Sequence, residues 1–234
     1  MFGTRLAGAD SFDYALAAYS EGRFSEAAEI AKTLKHSSGY AFAAKSMVIH
    51  ARYIATDPEK KQLLEQAIEL ARKAIESNPE NADGYLWLSR AMGRHSSHIS
   101  KAQATKENYA KQTRDAIEHA LRIDPQMSAA HVSMGRWHTG IIDRVGRLLG
   151  RTLFGARKKD ALQHFDQAYE LNQQSKTNNL SLAIGLFELD HDKYSDRAHN
   201  LLKQAAELPI NDAYEKIIHE RIIKKLSALD NSRN

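Results

Sequence analysis

Cysteine is absent from the 234 residues, which excludes disulfides, thiol nucleophiles and thiolate metal sites together. It does not fix the compartment, because exported proteins also go without cysteine. Proline (4) and glycine (12) are scarce, and no stretch reads as a flexible linker or a low-complexity tract. No segment approaches the roughly 18 uninterrupted apolar residues of a membrane helix. Residues 1–10 lack the apolar run of about 7–15 residues that a secretory signal needs. As written, the sequence predicts a cytoplasmic protein. Also missing are a Gly-rich phosphate loop, a nucleophile elbow and a His-Glu-x-x-His helix. The acids fall mostly at salt-bridge spacing, as Glu69 does with Lys73. No nucleophile, general base or cofactor site is read from the chain, and a non-catalytic protein is expected.

Charge of one sign is in short supply overall. The formal net charge is +4, with a pI near 9.1. Residues 139–159 hold Arg144, Arg147, Arg151, Arg157, Lys158 and Lys159 against Asp143 alone, so they carry +5 and leave −1 for the rest. A basic balance this local argues against specific nucleic-acid binding.

What is present is a repeat. Ala67–Pro79, Ala116–Pro125 and Ala161–Asn172 share small and apolar residues at helical spacing, closed by proline or a polar residue. A second helix type alternates with them: Tyr85–Ala91, His131–Trp137 and Ser181–Phe187, with a small residue, Ser89, Gly135 or Gly185, at the same place each time. Two antiparallel helices approach closely only where a side chain is short or missing. This is the helix A and helix B alternation of tetratricopeptide repeats. It predicts an all-α, right-handed α-α superhelix, a solenoid read as a single domain over 1–234. A first hairpin is expected at Phe12–Ser20 and Ser25–Leu34 around Gly22-Arg23-Phe24, and another turn at Asp190–Tyr194. Residues 212–229, with Tyr214, Ile217, Ile218, Ile222 and Leu226 on one face, predict a C-terminal capping helix. Residues 35–60 give no clear reading as a repeat hairpin. The spacing from Pro79 to Pro125 is 46 residues, against ~34 in the common repeat. The excess lies between helices A and B, as inserts at 93–112 and 139–159.

From about residue 60 to 228 the sequence resembles the tetratricopeptide domain of the regulator of microtubule dynamics family and its bacterial relatives. The resemblance rests on Ala67–Pro79, the surroundings of Trp87, Ile99–Ala102, Ala116–Pro125, Met134-Gly135-x-Trp137, Leu153-Phe154-Gly155, Ala161–Leu171 and both long inserts. It implies an interaction module. Members of that family are associated with microtubules, and one with organelle contact sites and phospholipid binding.

In this repeat type the inner face is lined from helix A. Alignment on Ser89 and Gly135 places Asp83, Leu86, Arg90 and Gly93 there, then Ala129, Val132, Arg136 and Thr139, then Asn179, Leu182, Leu186 and Leu189. Arg90 and Arg136 fall on equivalent positions. Two guanidinium forks in a groove suit a carboxylate or phosphate, which predicts a protein or peptide partner with acidic groups. The competing reading pairs each arginine with an acid of its own stack.

In the second insert, Ile141, Ile142, Val145, Leu148, Leu149, Thr152 and Leu153 form a stripe beside Arg144, Arg147 and Arg151. Such a helix suits phospholipid or an anionic membrane surface, although a stripe of this kind is first of all a core-facing device. His95 and His98 share a helix face in the polar first insert, but no carboxylate at matching spacing completes a metal set, so no metal is expected.

Overall fold

The computed structural model describes residues 6–233, with side chains from 12 to 231. Among these residues there are helices and no strand. They are α1 (Leu6–Ser20), α2 (Phe24–Lys32), α3 (Ser37–Tyr53), α4 (Asp57–Ser77), α5 (Ala82–His95) and the short α6 (Lys101–Lys106). Then come α7 (Tyr109–Ile123), α8 (Ser128–Leu149), α9 (Lys158–Leu171), α10 (Lys176–Leu189), α11 (His191–Glu207) and α12 (Ala213–Arg233). The A-type helices α1, α3, α5, α8 and α10 pack on their B-type partners α2, α4, α7, α9 and α11. The stretch left open by the sequence, 35–60, is a regular A helix, α3, and the start of its partner α4. The turn expected over Asp190–Tyr194 is tighter than that: Asp190 alone separates α10 from α11, and its carboxylate accepts from Lys193 N at 3.2 Å to start the second helix.

The described chain divides into two compact units. The first runs to Pro125 and includes Asp212–Tyr214; the second is Gln126–Asn211 with the chain from Glu215 onward.

In the first unit, α4 shows why the helices begin and pack where they do. The Glu59 carboxylate accepts from Thr56 N at 2.9 Å and from the Thr56 hydroxyl at 2.6 Å, and Pro58 stands in the first turn, where its missing N–H costs nothing. Ala67, Ala71 and Ala74 are fully buried. They give α4 a smooth face on which α3 and α5 both close. Gly22, at φ +87°, makes the turn between α1 and α2, a conformation that a side chain would strain.

A small hydrogen-bond relay recurs in both units. Ser37 at the start of α3 donates to Ala74 O at 2.7 Å and accepts from Asn81 Nδ2 at 2.7 Å. Ser128 at the start of α8 donates to Ala168 O at 2.9 Å and accepts from Asn178 Nδ2 at 2.7 Å. Each ties an A helix to the end of its B partner and to the start of the next A helix.

In the second unit, Phe165 of α9 is fully buried and lies against Gly135 of α8 and Gly185 of α10. Lys176, 2% exposed, donates to Ala205 O at 2.6 Å and Leu208 O at 2.8 Å where α11 ends. The second insert is partly a continuation of helix A: α8 runs to Leu149 but breaks at Gly146 (φ 81°, ψ 165°). A π turn, Gly150–Phe154, and Gly155 at φ 73° then reverse the chain toward α9. The first insert holds α6, started by the Ser100 hydroxyl accepting from Gln103 N at 3.1 Å, and a left-handed Asn108 (φ 51°) before α7.

Candidate functional site

The first unit gathers cations on one face of its A helices. Lys45 and Arg52 stand two turns apart on α3; Arg90 and Arg94 stand one turn apart on α5, which packs beside α3. Each spacing puts both residues of a helix on one side. Aromatic rings hold these side chains. Lys45 Nζ lies 4.4 Å from the centre of the Tyr19 ring, Arg52 5.0 Å from Tyr53, and Arg90 4.9 Å from Trp87. Tyr214 joins them, 6.4 Å from Tyr19 and 5.8 Å from Tyr53, ring centre to ring centre.

The electrostatics follow from burial and crowding. Burial lowers the Lys45 ammonium from its ordinary range, against the nearby Asp212 and Asp83 carboxylates. Burial also lowers the Arg90 guanidinium, with Arg52 adding to the effect and Tyr214 and Asp83 opposing it. The half-buried Arg94 is pulled down to about 9, first by desolvation and then by the like charge of Arg52. The Arg94 Nε is buried and makes no hydrogen bond.

The residues expected on the inner face separate into different places. Asp83 is exposed and Arg90 half-buried on the cationic face, but Leu86 is a core residue, 3% exposed. In the second unit, Val132 and Asn179 are buried; Asn179 Nδ2 donates to Gln173 O at 2.9 Å. Arg136 has the stack partner that the competing reading anticipated. Its Nη1 and Nη2 donate to the two oxygens of Glu188 on α10, at 2.5 and 2.8 Å. The buried Thr139 hydroxyl lies 2.9 Å from the same carboxylate. That set clamps α8 to α10. The sequence reading missed Lys45, Arg52, Arg94, Tyr53 and Tyr214. Reading 35–60 as an A helix would have found the first two, and extending α5 one turn past Arg90 would have found Arg94.

The second insert keeps only part of its stripe covered. Ile141, Ile142 and Val145 are half-buried, whereas Leu148, Leu149 and Leu153 are 75%, 50% and 69% exposed. Arg144, Arg147 and Arg151 are exposed beside them.

His95 is buried and lies 2.8 Å from the Tyr109 hydroxyl and 3.2 Å from Glu65 Oε1, so both ring nitrogens are engaged; His98 is exposed. Among the described residues no group of three or more His, Asp and Glu could hold a metal. His95 and Tyr109 border an open cleft of about 880 Å³, lined mostly by long polar side chains such as Gln62, Gln66 and Glu107. No described helix is long and apolar enough to cross a membrane.

Stacked A and B helices with close-packed alanine and glycine faces define a tetratricopeptide-type helical repeat, a fold of protein-interaction scaffolds. A solved structure agrees: a thermophilic tetratricopeptide repeat protein of Thermus thermophilus matches with a TM-score of 0.65 at 18% identity, over 93% of this chain and 99% of that one. The regulator of microtubule dynamics protein 1-3 family matches residues 12–230, and the chain belongs to that family. Regulator of microtubule dynamics protein 1 of Bos taurus is 24% identical over 139 residues, which are 54% of this chain and 41% of that protein. The match therefore spans less than half the length of that relative.

Proposed function

We propose that the chain is a non-catalytic, cytoplasmic interaction scaffold that holds an extended or helical partner segment of acidic character against its A helices, with Arg90 as an anchor. The observation that carries this reading is the cationic, ring-lined face of α3 and α5, on which Lys45, Arg52 and Arg90 each lie over an aromatic ring. A ring orients a guanidinium through its π face without cancelling the charge, which leaves the Arg52 fork able to receive a carboxylate. Family membership and fold support a binding role, and the composition offers no catalytic set. A photo-crosslinking side chain placed at the exposed Asp83 is expected to trap one discrete partner in cells. The same group at Glu118, on the B helix α7, is expected to trap none. Equal yields at the two positions, or no crosslink at Asp83, would remove the groove from the reading.

A second reading is favoured by the exposed Leu148, Leu149 and Leu153 beside Arg144, Arg147 and Arg151. Leucines in water flanked by arginines suit an anionic bilayer surface, where each cation contributes about 1 kcal/mol. Changing the three arginines to glutamate is expected to abolish co-sedimentation with vesicles rich in phosphatidylserine. Binding that survives the charge reversal would count against a membrane role for this segment.

A further inference from the structure

Arg52 and Arg94 differ from the arginines that carry an ion pair of their own. Arg23 meets Glu21 and Glu26, Arg72 meets Glu69, Arg114 meets Glu118, and Arg136 meets Glu188. Arg52 and Arg94 make no ion pair and no side-chain hydrogen bond among the described residues. Arg52 lies on the Tyr53 ring instead. A ring orients a guanidinium through its π face without cancelling the charge. The carboxylates felt in this neighbourhood, Asp83 and Asp212, act on Lys45, and Asp83 also acts on Arg90. Arg94 is pulled down first by desolvation, with the like charges of Arg52 and Arg90 adding to it. Like charges gathered in a half-buried place, with the Arg94 Nε unbonded, cost the folded state free energy that an anion would return.

One peptide stretch lies on this face and shows what chemistry it accepts. Asp212–Tyr214 belongs to the same compact unit, brings the Asp212 carboxylate toward Lys45, and sets the Tyr214 ring against Tyr19 and Tyr53. An acid followed by an aromatic lies toward Lys45; at the Arg52 and Arg94 end the walls are again aromatic, and neither arginine makes an ion pair among the described residues.

We propose that Arg52, Arg90 and Arg94, walled by Tyr53, Tyr214 and Trp87, form an anion-binding site that receives carboxylate side chains of an acidic, aromatic-containing peptide segment. The inference rests on the scaffold reading and names the chemistry of its anchor. Carboxylates are received bidentately by the guanidinium forks, and an adjacent aromatic side chain of the ligand packs on the tyrosine rings. The site is strained when empty, so ligand binding and stability of this unit rise together.

The probe is a synthetic peptide alternating glutamate pairs with tyrosine, titrated calorimetrically into the full chain at matched ionic strength. Inorganic phosphate, a peptide with glutamine in place of glutamate, and phosphatidylglycerol vesicles are run alongside. The acidic peptide is expected to bind and to raise the thermal midpoint, with affinity falling as salt is raised. The double variant Arg52→Gln, Arg94→Gln is expected to lose at least about tenfold in affinity and, without ligand, to melt no lower than the parent. Arg94→Lys, which keeps the charge and loses the fork, is expected to fall between the two. Equal affinity of parent and double variant would overturn the site. So would saturation by phosphate or by vesicles with no response to the acidic peptide. Peptide binding that ignores the arginines removes this anchor and leaves the scaffold reading standing. Failure of both peptides, together with a negative crosslink at Asp83, removes the scaffold reading itself.

Discussion

Gly185→Ala is expected to lower the thermal midpoint by about 4–8 °C. A Cβ at this position would lie 2.2 Å from Phe165 Cζ and 2.6 Å from its Cε2. The ring has no room to retreat, since Gly135 faces it from α8 and a Cβ there would lie 2.3 Å from Phe165 Cε1. Phe165 is itself fully buried. Two effects oppose each other. Alanine in a helix interior gains up to about 1 kcal/mol over glycine. Overpacking a closed core costs about 1–3 kcal/mol, occasionally more, and a rigid ring held between two helices belongs at the upper end. The clash wins by roughly 2 kcal/mol or more, and each kcal/mol moves the midpoint by roughly 2–4 °C in a chain of this size. Adding Phe165→Leu is expected to recover part of the loss, because the smaller side chain vacates the space the new methyl needs. A melting curve for Gly185→Ala within a degree or so of the parent would show that α8, α9 and α10 can separate without cost.

Lys176→Met is expected to destabilise the chain by about 2–4 kcal/mol in urea unfolding, through carbonyls left bare. The last turn of α11 has little else to satisfy it, because Pro209 follows Leu208 and has no N–H to give. The Lys176 ammonium stands in, donating to Ala205 O and Leu208 O, with His219 Nδ1 at 3.4 Å. Burial lowers the lysine from its ordinary range while Glu215 opposes the shift, so the cation is held at a desolvation cost. Methionine would remove that cost and fill the space, but it cannot donate. If the variant unfolds at the same or higher urea concentration, water has replaced the ammonium at the carbonyls and desolvation was the larger effect.

Much of the fold was legible because its signals are local. Helix ends followed from Pro79, Pro125 and the capping residues, and helix type from apolar spacing. The small residues Ser89, Gly135 and Gly185 marked close approaches, and at the two glycines the approach is that of the Phe165 ring. The stretch 35–60 was not legible, because α3 carries small and buried polar residues such as Gly39, Ser46 and Ala51 in place of a leucine stripe. Its helix is held by packing on α4 and α5 more than by its own pattern.

The site was legible only in part. Composition and spacing determined that this chain is a stack of helical hairpins with arginines on A helices and a basic, leucine-bearing second insert. Those properties are written residue by residue into capping, periodicity and charge. Whether a given arginine is neutralised was decided by the tertiary structure. Arg136 meets Glu188 from 52 positions away, whereas Arg52 and Arg94 come from separate helices onto one face and make no ion pair among the described residues. The exposure of Leu148, Leu149 and Leu153 was decided there too, by the backbone break at Gly146 that turns the end of α8. Charge pairing and burial depend on distance through space, and a single sequence supplies distance only along the chain.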